Sequence, residues 1–500
     1  VVDLAHDQPA SLLLGGDTGD YLNDLPLLTM GDVNGDGLRD LLVGARFGDG
    51  PGNSRTDAGE AYVILGRPDL PQRVDLAVPE ADITIYGAAG QASGTRQGDQ
   101  LGFSGAIADV SGDGRADIIL GAPFVARPDN GAAAGAVYVI FGKAELPRVI
   151  DLASTRPDVT LLGATPTSYF GDSVAAGDVN GDGVDDLIIG APFQPRPAGR
   201  ERAGQLAGAA YVFFGGPGLF GERDTAKGEY HAVIFGEEEF EGGDELGDAV
   251  AAGDLDDDGI DDIVVTAEAA DGPGNQRSVD AEVYVVYGRR DLAGELDIAA
   301  RDQDVTIYGA EQNDTLGFNL AVADVTGDGR DDLLVTARGG DGPGNNTPEG
   351  GELHVFPGGS RLPETIDLAA YDDDAFLHGP DAADFLGNGI AAADFDGDGF
   401  NELVVGVPGG DGAADDSVNM RDAGEVYVVD ARGLSGPAGV ASLPVRLAVY
   451  GARMDDALGT SVAAGDMTGD GRPELAILAL RSDGADGARP DAGLIYVLRP

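Results

Sequence analysis

Seven copies of one acidic loop constrain this chain more than any other feature. "DVNGDGLRD" at 32–40 returns as "DVSGDGRAD" at 109–117, "DVNGDGVDD" at 178–186, "DLDDDGIDD" at 254–262, "DVTGDGRDD" at 324–332, "DFDGDGFNE" at 394–402 and "DMTGDGRPE" at 466–474. The six steps from Asp32 to Asp466 average about 72 residues. The chain therefore reads as an array of one unit.

The third unit shows the pattern: "FGDSVAAGD", the loop, "DLIIGAP", "GAAYVFFGG" and "AVIFG". All four stretches have strand length, and their β-branched and aromatic residues favour strand over helix. The first is rich in Ala, Gly and Ser, as a strand crowded against a shared axis requires. The middle two are nearly continuous apolar runs, which suits strands covered on both faces. Four-stranded antiparallel units stacked face to face around an axis make an all-β, seven-bladed β-propeller. Six outer strands follow their own loops ("DITIYGA", "DVTLLGA", "AVIFGEE", "DVTIYGA", "DAFLHGP", "RLAVYGA"), but the last unit ends at "GLIYVLRP" without one. A seventh, "ASLLLGG", stands at 10–16, before the first loop. This N-terminal strand is expected to complete the last blade and close the ring, covering edges that would otherwise invite aggregation. Residues 1–500 then form a single domain.

The order "FG-x-S-V-A", acidic loop, "D-L-I-I-G-A-P", "G-x-Y-V-x-F-G" resembles the FG-GAP repeats of integrin alpha-subunit propellers and their bacterial relatives, over essentially the whole chain. The "GAP" element stands at Gly121 and Gly190, becomes "GVP" at Gly406 and is replaced elsewhere. The resemblance implies that each acidic loop joins the first and second strands of a blade. It also implies an extracellular or cell-surface protein engaged in adhesion.

Oxygen ligands at alternating positions with a glycine at the turn suit a hard cation taking six to eight oxygens, and calcium fits best. In blade one the ligands would be Asp32, Asn34, Asp36, the carbonyl of Leu38, and Asp40. Gly37 supplies the turn, since a side chain there opposes positive φ. The same positions are Asp109, Ser111, Asp113, Arg115 and Asp117 in blade two, and Asp178, Asn180, Asp182, Val184 and Asp186 in blade three. Blade four has Asp254, Asp256, Asp258, Ile260 and Asp262; blade five has Asp324, Thr326, Asp328, Arg330 and Asp332. Blade six has Asp394, Asp396, Asp398, Phe400 and Glu402, and blade seven Asp466, Thr468, Asp470, Arg472 and Glu474. The spacing resembles an EF-hand start, but the closing acid is at position nine and strands flank the loop, which argues against a helix-loop-helix sensor. Up to seven Ca2+ ions are expected, one per blade, in a structural role. Blade four, with four carboxylates, should bind most tightly, and chelation should destabilise the fold.

The opposite face would be built from loops such as "GDGPGN" at Gly48 and Gly340, "DGPGN" at Asp271, "GGDGAADD" at Gly409 and "SDGADGARPD" at Ser482. These read as tight turns or as a partner surface whose chemistry changes at blades two and three, with Phe124, Arg127, Phe193, Arg196 and Arg200. An acid also precedes each inner strand (Asp20, Asp99, Asp244, Asp314, Asp384, Asp456; Ser168 in blade three). It reads either as a turn cap or as an acidic ring at the channel mouth.

A formal charge of −57, from 88 acidic against 31 basic residues, argues against nucleic acid and anionic membranes as partners. Seven divalent ions would leave about −43. With no cysteine there is no disulfide framework and no thiol nucleophile. No apolar run reaches the roughly 20 residues of a membrane helix, and residues 1–15 lack a signal-peptide pattern. No nucleophile elbow, phosphate loop or H-E-x-x-H occurs, and His6, His231, His354 and His378 form no recurrent pair. The favoured reading is a secreted or surface-displayed, non-enzymatic propeller that binds a protein on the face opposite the calcium loops. A glycan-binding, lectin-like propeller is the alternative, and an accessory or catalytic domain of a secreted lyase or phospholipase is a third. Oligomeric state is left open.

Overall fold

In the computed structural model, which describes residues 1–16, 27–78, 80–91, 97–129, 131–197, 206–237, 243–274, 277, 280–371, 375–412, 420–484 and 489–500, each acidic loop lies in its own sheet of five strands. In blade three the inner strand Val174–Gly177, the second Asp186–Ala191, the third Ala209–Phe213 and the outer Ala232–Phe235 pair antiparallel in sequence order. A fifth strand, Gly294–Asp297, then runs parallel to the outer strand. It belongs to the chain of blade four, between that blade's third and outer strands. All seven sheets follow this plan, so the four-stranded blade expected from the sequence gains a strand borrowed from its successor. The physical reason is edge pairing: an uncovered outer strand would present a row of free N–H and C=O groups. The borrowed stretches escape a pattern search because they are two to four residues long, and Val149–Asp151, for example, buries only its middle residue.

The ring closes as expected. Ser11–Leu14 pairs antiparallel with Leu494–Leu498 as the outer strand of blade seven. Val2–Asp3 is the borrowed strand of blade six, parallel to Val445–Tyr450.

The core is divided among the gaps between blades. One buried cluster combines Leu13, Ile495 and Leu478 of blade seven with Leu41, Tyr62 and Val43 of blade one. The next joins blades one and two through Leu42, Val63, Leu120 and Ile140, and five further clusters repeat the arrangement around the ring. Both faces of each sheet are thus covered. This is why second strands such as Asp117–Ala122 and third strands such as Ala136–Ile140 are buried at every residue and why their sequences do not alternate. Inner strands such as Gly105–Ala108 are only half-buried because they line the central channel. They are entered by a turn with left-handed backbone: Tyr169 and Gly171 have φ 55° and 91°, and Glu245 and Gly247 have 61° and 102°. That turn accounts for the glycine of the "FG" element.

Candidate metal centre

Every acidic loop joins an inner strand to a second strand, which puts all seven on one face. The loop is held first by its own opening acid. Asp32 accepts the N–H groups of Gly35 at 2.7 Å, Asp36 at 3.1 Å and Gly37 at 2.8 Å, and Asp394 does the same with Gly397, Asp398 and Gly399. The sixth-position glycines all have φ between 83° and 90°, a region that side chains disfavour. Blade four departs at position four, where Asp257 adopts φ 61° in place of a glycine. The fifth-position acid closes the turn, as Asp36 Oδ1 accepts Leu38 N–H at 2.9 Å and Asp182 Oδ1 accepts Val184 N–H at 3.1 Å.

The ninth-position acid opens the second strand and is at most 1 % exposed in all seven blades. In blades one to five it ties three segments together. Asp262 accepts Leu255 N–H of the loop at 2.9 Å and Gly288 N–H beyond the third strand at 2.8 Å; Asp40 does so with Val33 and Gly66. Burial, reinforced by the neighbouring carboxylates, pushes Asp40 and Asp117 up to about 6 and Asp186 and Asp262 up to about 7. The loops are also joined around the ring: Arg39 N–H donates to Asp466 O, Ala116 N–H to Asp32 O and Asp261 N–H to Asp178 O, at 2.9–3.1 Å.

Positions one, three and nine converge. In blade four, carboxylate oxygens of Asp254, Asp256 and Asp262 lie within 4.8 Å of one another, and in blade six so do those of Asp394, Asp396 and Glu402. Where position three is neutral it still turns to the ninth acid: Ser111 Oγ is 3.5 Å from Asp117, Thr326 Oγ1 3.3 Å from Asp332, Thr468 Oγ1 2.9 Å from Glu474, and Asn180 bonds both oxygens of Asp186. Blade one differs, with the Asn34 amide bonded to Asp36 at 3.0 Å. Asp113, Asp258, Asp328 and Asp470, like Asp36, hold the next turn residue (Arg115, Ile260, Arg330, Arg472) through its N–H, and Asp398 holds Phe400.

A cation fits blade four on a specific ground. Asp256 Oδ1 is buried without a hydrogen-bond partner, while its other oxygen accepts from Arg361 Nε at 3.0 Å. An orphaned carboxylate oxygen among two further acids is costly unless a positive charge faces it. Blade six also has an arginine beside its position-three acid, with Arg446 Nη2 3.0 Å from Asp396 and Nε 3.8 Å from Glu402.

On the opposite face, Arg127 and Arg196 do not face a partner. Arg127 makes two 2.9 Å bonds to Asp224, and Arg196 bonds Asp297 at 2.9 and 2.8 Å. The aromatic groups do come together, in a row Phe103–Phe124–Tyr169–Phe193 with centroids 6.2, 4.9 and 5.0 Å apart. Two of the acids before the inner strands cap turns: Asp99 accepts Ala89 N–H at 2.7 Å and Asp384 accepts Asp381 N–H at 2.8 Å. Asp314 is buried against Glu352 and is pushed up to about 8, mainly by burial. Asp20 and Arg200 lie outside the described residues.

The two arginines belong to a repeated clasp that the sequence reading missed. Arg55–Asp151, Arg127–Asp224, Arg196–Asp297, Arg277–Asp367 and Arg489–Asp75 all pin a borrowed strand to the blade that borrows it. Four of these guanidinium groups also donate to the carbonyl that follows the outer strand, Gly87, Gly163, Gly236 or Gly15. The available signal was the recurrent aspartate, two before an alanine, in "VDLA", "IDLA", "RDTA" and "LDIA".

The model of the FG-GAP repeat matches residues 27–64, 101–140, 170–213, 316–356, 386–429 and 458–498. Blade four falls outside these matches yet has the same fold. Over 214 residues, 43 % of this chain, the sequence is 31 % identical to the phosphatidylinositol-glycan-specific phospholipase D of Bos taurus. Over 256 residues, 50 % of the chain, it is 30 % identical to integrin alpha-5 of Xenopus laevis. The aligned parts span 23 % and 21 % of those relatives. Among solved structures, the Dos1 propeller aligns over 98 % of this chain and 95 % of its own, with a TM-score of 0.44 and 10 % identity.

Proposed function

The chain belongs to the FG-GAP repeat proteins as an integrin-like seven-bladed propeller, and on that premise we propose that it is a calcium-stabilised binding module that carries no catalytic centre of its own. The observation that carries the metal is the convergence of Asp254, Asp256 and Asp262 around an oxygen of Asp256 that has no other partner. Those three acids, with Asp258 and the Ile260 carbonyl, would hold the ion in blade four, and the corresponding residues in the other blades. Calcium supplies a doubly charged centre for hard oxygen ligands. The chain's own residues do the rest, because in blades one to five the ninth-position acid couples its loop to the second strand and to the turn beyond the third, so a charge satisfied there stiffens the blade.

Residue for residue, the ligand face is proposed to be the one opposite the loops, and the partner an extracellular protein, in keeping with the integrin relatives. No helix among the described residues is long and apolar enough to cross a membrane. The aromatic row at blades two and three favours a glycan as the second reading, since a cluster of rings packed edge to face offers apolar surface to a sugar face. A third reading, an accessory domain of a larger secreted phospholipase or lyase, follows from the small share of the phospholipase relatives that the chain spans.

Calorimetric titration of chelated protein with calcium, paired with thermal scans, tests the metal. Binding at 100 times Kd should add about 2.7 kcal/mol per site, and Asp256→Asn should remove the tightest site first. The absence of both binding heat and a thermal shift at millimolar calcium would overturn the reading.

A further inference from the structure

A cavity of about 420 Å³ opens at the channel mouth opposite the acidic loops, between blades five, six and seven. Its walls come from the ends of second strands and the turns entering inner strands. It holds two arginines, Arg338 and Arg481, in a protein with 88 acidic residues. Among the described residues neither has a carboxylate within 4 Å, although fifteen other arginines do.

The Arg338 guanidinium is fixed between two rings, 5.0 Å from the centroid of Phe318 and 4.9 Å from that of Phe385. Its Nε is buried and has no hydrogen-bond partner. Burial lowers its pKa, against the pull of Glu268 and with a smaller push from Arg481. With two rings against the guanidinium and, among the described residues, no carboxylate beside it, its N–H groups match a carboxylate brought by a ligand. The same cavity presents an acceptor that lacks a donor. Asn388 is 6 % exposed, and its Oδ1 is buried without a partner; Asp422 adds a carboxylate at the rim. An occupant must therefore bring both an anionic group and hydroxyl donors. Inorganic phosphate at neutral pH and simple carboxylates bring the first and little of the second.

We propose that this cavity binds a hexuronate unit of an acidic glycan, its carboxylate on Arg338 and Arg481 and its hydroxyls on Asn388 and Asp422. The volume falls within the range of small-ligand sites and suits one or two sugar rings. The inference deepens the binding-module reading and rests on it, while being independent of the metal loops. The cavity lining carries two arginines against the one carboxylate of Asp422, an excess of positive side chains in a chain of charge −57 that would favour an anionic ligand.

Saturation-transfer NMR and calorimetry on the calcium-loaded chain would use glucuronic and galacturonic acid, each beside its methyl ester, the neutral hexose and an aspartate-containing peptide. The acids should bind at least about tenfold more tightly than the esters, because the charge-assisted bonds to arginine are lost on esterification. Arg481→Gln, at an exposed position, should weaken the acids about tenfold and leave the hexoses unchanged; Arg338→Gln should do the same, with its melting curve checked for folding. Equal binding of acid and ester, or no binding of either acid by protein that is folded and takes up calcium, overturns the proposal without touching the proposed function. Tighter binding of the peptide than of either uronate also overturns it, and assigns the cavity to a protein carboxylate.

Discussion

Replacing Arg127 with methionine asks how much a single clasp contributes to the ring. The Arg127 side chain is 7 % exposed and that of Asp224 is 5 % exposed. Methionine keeps part of the stem but leaves Asp224, among the described residues, with Lys227 Nζ at 3.2 Å and Ala226 N–H at 3.0 Å as donors to its side chain. Removing one partner of a buried pair costs about 3–5 kcal/mol, and the surviving donors place this loss near about 3 kcal/mol. At about 2 cal/mol/K per residue, cooperative unfolding of 500 residues carries about 1 kcal/mol/K. The melting temperature should then fall by about 3 °C. A cycle with Asp224→Asn, read by calorimetry at fixed calcium, isolates the pair, and a coupling of about 2 kcal/mol is expected. The pH dependence adds a second readout. Arg127 holds Asp224 down to about 2, so the pair's contribution is full above the unfolded value near 4 and is lost as pH falls through about 2. A coupling energy below about 0.5 kcal/mol, or one indifferent to that pH window, would refute the reasoning.

Two further outcomes are expected. Burial raises Asp172, Glu282 and Glu425 to about 7 and Asp314 to about 8; their contribution is full below about pH 4 and is lost as pH rises through those values. Chelated protein should therefore melt progressively lower from pH 5 to pH 8, with a limiting slope of about 1.4 kcal/mol per group per pH unit, and a melting temperature that rises over that interval would contradict the assignment. Leu13→Ala, in the strand that closes the ring and 1 % exposed, should cost about 2–5 kcal/mol in denaturant titrations, as Leu161→Ala should in an ordinary outer strand. A loss below about 1 kcal/mol at Leu13 alone would mean that the seam is poorly packed.

The acidic loops, the four main strands and the closing strand were legible because each is dictated locally: a glycine with φ near 89° at Gly37, an unbroken apolar run, an outer strand displaced to 10–16. The borrowed strands were not, because Val149–Asp151 is too short and too exposed to carry a period. The clasps were invisible for a different reason. Arg127 and Asp224 lie 97 positions apart, and the arginine sits in a loop whose "PFVARPDN" reads equally well as an exposed ligand surface. In the loops, spacing identified positions one and nine, but whether position three turns towards the ninth acid depends on side-chain packing. Asn180 does so and Asn34 does not, from identical local sequence "DVNGDG". The cavity at blades five to seven was equally hidden, since Arg338, Asn388 and Arg481 share no motif.

The seam in blade seven also has a mechanical character. Ser11 faces Val497 and Leu14 faces Leu494, so the two chain ends leave the blade from the same edge. Tension between them, once Val2–Asp3 lets go of blade six, would load the bonded pairs one after another, as a zip is drawn, instead of shearing all of them together. A closure that is firm against heat would then yield to a gentle steady pull, and the ring would open at one known place.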